Sequence, residues 1–173
     1  RDFLALRLDA LLAAGRACDA LELAAAAPKD RPASIAMLQA RAALALGKGK
    51  EACDALSALP ASGDPRTEPQ AAFALKLSAY CQILGGNPEL SGITADLARE
   101  EGLDDPLFYS LQGAAADGIR LKAPAPDRLS EIDFAFYGLA KRDFPSNAAA
   151  IAVPSVLPAL AQNAEAAPEM DPM

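Results

Sequence analysis

Cys18, Cys53 and Cys81 are the most reactive side chains in a chain of 173 residues that holds no histidine. Without an imidazole there is no ordinary general base, no Ser-His or Cys-His nucleophile pair, and none of the commonest transition-metal ligand. No serine is followed three residues later by a lysine, so the SxxK nucleophile is missing as well. The thiols form no CxxC, and three scattered thiols without histidine make a poor metal site. Two ordinary fates are left to them, a disulfide or burial as small apolar side chains.

Other groups imitate chemistry without its spacing. GKGKE at Gly47 to Glu51 has the glycines and lysines of a phosphate loop, but lacks the GxxxxGK[ST] pattern and follows no strand. Glu100, Glu101, Asp104 and Asp105 could draw a divalent cation, yet they fall where one helix ends and the next begins, a place for caps. Glu131 and Asp133 resemble a glycosidase pair, but positions i and i+2 on a helix point apart. No catalytic residue, metal ligand or cofactor-binding residue is assigned, and an enzyme is not expected.

The elements that would position these groups are helices. Hydrophobic residues make up 52% of the chain but aromatics only 5%, with no Trp, so alanine supplies much of the apolar content. Alanine favours helices and lets their backbones come close. The expected fold is all-α. A formal charge of −7 with no Lys/Arg cluster argues against nucleic acid as a partner. No apolar run reaches the roughly 18 to 20 residues that a membrane span needs.

Ala33 to Pro60 reads as two helices folded back through Gly47 and Gly49. Ala36, Ala40, Ala43, Leu44 and Leu46 recur at helical spacing on one side, and Ala52, Ala55, Leu56 and Leu59 on the other. Arg41, Lys48, Lys50, Glu51 and Asp54 are left for water, and Arg41, Lys48, Lys76 and Arg99 read as ordinary solvating charges. The first segment repeats the scheme, with Leu4, Leu8, Leu11 and Leu12 before Gly15 and Leu21 and Leu23 after it. The word ACDAL occurs in both, Cys18 matching Cys53.

A third hairpin opens with Thr67 and Gln70 as a capping box and Pro69 in the first turn, turns at Gly85-Gly86, and continues from Asn87-Pro88 to Gly102. A fourth begins at Asp105-Pro106, closes its first helix at Gly118, and resumes near Asp127 after the linker IRLKAPAP. The hairpins cover about 1–30, 32–60, 67–102 and 104–141 of a domain spanning 1–163, which ends in one short helix near Pro154 to Gln162. Phe134, Phe136, Tyr137 and Phe144 are expected to form a packed seam closing the end of the stack. Residues 164–173 read as a disordered acidic tail or the start of a truncated region. With Arg1 first and no signal peptide in view, the sequence is expected to be a piece of a longer polypeptide.

The glycines closing each first helix, Gly15, Gly47, Gly85 and Gly118, repeat with a period of about 34. With small residues at Ala40 and Ala52, and Pro32 and Pro65 near the repeat ends, residues 1 to 118 resemble degenerate tetratricopeptide repeats. The resemblance implies a short α-solenoid that presents a concave surface to a protein or peptide. It also places Cys53 in the second helix of one repeat and Cys81 in the first helix of the next, which pack together in such a stack. A Cys53–Cys81 disulfide with Cys18 unpaired is then expected if the protein is exported, and the alternative is three reduced, buried thiols.

The leading functional reading is therefore a non-enzymatic interaction scaffold, exported to a bacterial periplasm, with the cytoplasm as the alternative compartment. The runner-up is a helical accessory region of a longer cell-wall-acting enzyme. A small-molecule or lipid carrier would need an enclosed apolar cavity, which alanine-rich packing opposes.

Overall fold

A computed structural model describes residues 3–119 and 124–166. The expected linker from Ile119 to Pro126 and the tail at 167–173 therefore fall partly or wholly outside the described residues. The elements are α1 (Phe3–Ala13), α2 (Ala17–Ala25), α3 (Ala33–Ala45), α4 (Gly49–Asp54), α5 (Pro69–Leu84), α6 (Pro88–Glu100), α7 (Pro106–Asp117), α8 (Glu131–Leu139), α9 (Ala148–Ile151) and α10 (Leu157–Ala166). Short 3-10 turns follow α4 at Ala55–Ala58 and precede α10 at Pro154–Val156. Among the described residues there is no strand, and the protein is all-α. One isolated parallel bridge joins Leu129 to Ala152.

Four of the helix ends share one device. Gly15, Gly47, Gly86 and Gly102 are left-handed, with φ of 75°, 71°, 83° and 88°. After each, the next amide reaches five residues back: Arg16 donates to the carbonyl of Leu11, Lys48 to Ala43, Asn87 to Gln82 and Leu103 to Ala98. This is the Schellman closure, which needs a residue free to take positive φ. The third turn therefore pivots on Gly86, not on Gly85, whose φ is −81°. Gly49 is needed for a different reason, since it starts α4 where the Tyr80 hydroxyl leaves no room for a Cβ.

The helix starts follow the sequence in part. Asn87 and Asp105 accept the amides of Leu90 and Phe108, with proline in the first turn of each helix. The Thr67–Gln70 box does not form. The N-cap of α5 is Glu68, whose side chain accepts no cap bond, because the preceding turn is held by Asp64, which takes both the amide and the guanidinium of Arg66. Nor does a helix begin near Asp127: Ser130 and Asp133 form a reciprocal capping box, so α8 starts at Glu131. At the far end α10 is helical through Ala166, so the expected tail does not begin at 164.

Helices adjacent in sequence pack on one another from α1 to α7. Counted from the left-handed glycines, Ala20, Ala52 and Ser91 occupy equivalent places, and each is 0% exposed. Side chains this small let the paired backbones approach closely. At the third place the serine hydroxyl is satisfied, donating to the Ala79 carbonyl at 2.9 Å and accepting from Gln112 at 3.2 Å.

This count also corrects the cysteine match. Cys18 lies three residues after Gly15, whereas Cys53 lies six after Gly47, so the two ACDAL words sit one helical turn apart. Cys18 falls on the outside of α2 and is exposed, contrary to the reading of three buried thiols. The place of Cys53 is taken in α2 by Leu21.

α8 returns across the array. It packs on α7, but also on α5 and α3, the first helices of the hairpins. Phe136, 1% exposed, stands between Tyr80 of α5 and Phe108 of α7, with ring centroids 5.5 and 5.6 Å away. Phe144 stacks on Phe134 and meets Tyr137. The aromatics are thus a packed seam, laid along the first-helix side of the array. α8 ends in the same closure as the hairpins, but with Lys141 at φ 52° where the others carry glycine.

Candidate functional site

Three helices position the cleft that holds the buried carboxylate of Glu131. α3 supplies Met37 and Arg41, α5 supplies Phe73 and Lys76, and the start of α8 supplies Glu131, with Arg128 just ahead of it. The cleft encloses about 340 Å³.

At its floor lies Glu131, 2% exposed. Both of its oxygens accept from Arg41, Nε to Oε2 at 3.2 Å and a terminal nitrogen to Oε1 at 3.1 Å, and the Ser155 hydroxyl donates to Oε1 at 2.8 Å. A buried carboxylate is tolerable only with such compensation. The arrangement ties α3, α8 and the turn before α10 to one another, across 90 residues of sequence. Arg41 also lies 3.8 Å from Asp9 of α1. Arg41 is therefore no solvating charge but the centre of the network, with its side chain 20% exposed.

Lys76 departs from its sequence reading in the same way. Its ammonium is 2.9 Å from Asp105, the N-cap of α7, and its side chain is 17% exposed. Burial, the largest effect, pushes the nearby Asp133 carboxyl above its ordinary value, against the opposing pull of Lys76 and of the hydrogen bonds from Ser130. Lys48 and Arg99 fit the expectation better, in exposed pairs with Glu51 and Asp96, although Arg99 also sits 4.3 Å over the Tyr109 ring. Arg128 is exposed on the rim of the cleft.

Glu131 accepts three hydrogen bonds, and Asp133 is tied to Ser130 in the capping box of α8. No group of three or more Cys, Asp or Glu stands together as a metal site among the described residues, and Glu100, Glu101, Asp104 and Asp105 form none. Gly47 and Lys48 are the turn into α4, and Gly49 to Glu51 are its first residues.

Cys53 of α4 and Cys81 of α5 are joined in a disulfide with Cα atoms 5.8 Å apart. Cys18 is free and borders a second cleft of about 370 Å³, between the Gly15 turn and α10. Sequence reasoning missed Arg41, Lys76, Arg128 and Ser155. Glu131 was singled out in the sequence only as half of an apparent carboxylate pair, and its place at the start of α8 gave no sign of its burial. No described helix is long and apolar enough to cross a membrane. The chain matches no protein-family model, no curated protein and no solved structure.

Proposed function

We propose that this chain is a non-enzymatic scaffold of tetratricopeptide-like hairpins that binds a protein or peptide segment in an oxidising compartment such as the bacterial periplasm. The cleft between α3, α5 and α8 carries the reading. It joins apolar walls at Met37 and Phe73 to the rim cation Arg128, and its charged floor is already neutralised by Arg41 and Glu131. An extended acidic segment suits it, with apolar side chains against the walls and a carboxylate at Arg128. The Cys53–Cys81 bridge supports the compartment, since reducing cytosol rarely leaves such bonds intact.

Fluorescein-labelled acidic peptides titrated against the full chain test the reading by anisotropy. Saturable binding that weakens with salt and falls about tenfold in Arg128→Glu, a loss of roughly 1.4 kcal/mol, is the expected result. Binding indifferent to both changes, or no saturation at millimolar protein, rejects the cleft. For the compartment, protein taken from its native source and denatured without reductant should titrate one thiol; three would remove the export reading.

A further inference from the structure

α1 carries a bare apolar stripe. Phe3 and Leu6 are 69% and 67% exposed, and Ala10 and Ala13, on the same side of the helix, are exposed as well. Counted back from Gly15, they occupy the places that Ile35, Leu38, Ala42 and Ala45 occupy before Gly47. Those four are only 5%, 9%, 0% and 2% exposed. Before Gly86 the first three places fall on Ala74 and Leu77, at 8% and 0%, and on Cys81.

The disulfide identifies what covers this side of a first helix. Cys81 is bonded to Cys53 of α4, the second helix of the preceding hairpin, and α2 packs on α3 in the same order. The disulfide fixes this cover at α5, α2 packs on α3 in the same order, and α1 presents the same face exposed.

We propose that the Phe3, Leu6, Ala10 and Ala13 face of α1 docks the second helix of one further hairpin of the α3–α4 kind. That helix is short and runs antiparallel to α1. Small and apolar residues line its inner side, as Ala52 and Cys53 do in α4, and charges line its outer side, as Lys50 and Glu51 do. A second copy of this chain fits less well. An antiparallel two-fold pairing of α1 would set Arg7, on one border of the stripe, beside its own copy, and Asp9, on the other border, beside its own. The proposal rests on the equivalence of the hairpins and not on peptide binding in the α3–α5–α8 cleft, so either can fail without the other.

The test joins a copy of residues 32–71 ahead of Arg1, which sets the copied α4 against α1 in the register that α4 keeps on α5, and introduces Ala10→Cys at the place equivalent to Cys81. Oxidation should link the copied Cys53 to the introduced thiol and leave Cys18 as the one titratable thiol. A second version, without the introduced thiol, should show slower amide exchange across α1 than the unextended chain. Three titratable thiols together with unchanged exchange overturn the proposal. So does an unextended chain that sediments as a dimer and returns to monomer on Leu6→Glu, because the face then belongs to a second copy.

Discussion

The hairpins from α1 to α6 and the returning segment around α8 are held by different means. In the hairpins, helix meets helix over Ala20, Ala40, Ala52 and Ser91, all 0% exposed, and the residues that matter are small. In the returning segment the contacts are made by Phe134, Phe136, Tyr137 and Phe144, and by the carboxylate of Glu131. Small residues fix how near two neighbours lie, whereas large ones fill what the array leaves open on its first-helix side. Close packing of neighbours is local and repeats along the chain. The seam is long-range and occurs once, so its loss should be felt across several helices together.

The largest expected effect breaks the seam. Phe136→Ala removes the ring that stands between Tyr80 and Phe108 and should cost about 3 to 5 kcal/mol, read from urea unfolding. A loss under about 1 kcal/mol would mean that α8 is a loose cover and that the hairpins carry the fold alone.

Next comes the bridge within the array. Replacing Cys53 and Cys81 together by alanine should cost roughly 2 to 4 kcal/mol, and adding reductant to the unaltered protein should lower its unfolding midpoint by a matching amount. An unchanged midpoint in both experiments would show that α4 and α5 are held by packing only.

The alanine seam is probed by adding volume. Ala52→Leu should destabilise by about 1 to 3 kcal/mol, since a 0% exposed methyl between two backbones has no space to grow into. If calorimetry found the variant as stable as the parent, small side chains would not be what sets the helix spacing.

The smallest effect concerns Asp133. Burial raises its pKa above the ordinary 3.8, outweighing Lys76 and Ser130, with Asp105 adding to the rise. The folded chain therefore keeps this proton to higher pH than the unfolded chain does. The group favours folding at low pH, and that contribution is lost as pH rises through the folded value. Asp133→Asn should flatten this fall in stability on the acid side, above the ordinary carboxylate value, while keeping an acceptor for the Ser130 cap. An unaltered slope would move the effect to another carboxylate.

Much of the array was legible because its signals are local. A left-handed turn calls for glycine, and Gly15, Gly47 and Gly102 punctuate the helices where periodicity placed them; only the choice between Gly85 and Gly86 went astray, since both neighbours can take the turn. Asn87 and Asp105 cap as read because proline in the next position fixes the start. Thr67 does not, because Asp64 and Arg66 set the preceding turn in another way. The word ACDAL misled by one helical turn: three residues separate Cys18 from its glycine and six separate Cys53, and identity of letters hid the difference.

An all-α chain of glycine-punctuated hairpins was legible in the residues alone, and the tetratricopeptide resemblance then offered Cys53 and Cys81 as partners. The hairpins were legible because helix period, caps and turn glycines act within a few residues of one another. The return of α8 onto α3 and α5, the meeting of Arg41 and Glu131 across 90 residues and the pairing of Lys76 with the N-cap of α7 came only with the long-range contacts. These pairings join charged side chains that look, in sequence, like any solvated pair. Burial gives them their meaning, and burial depends on which distant helix comes to rest above them.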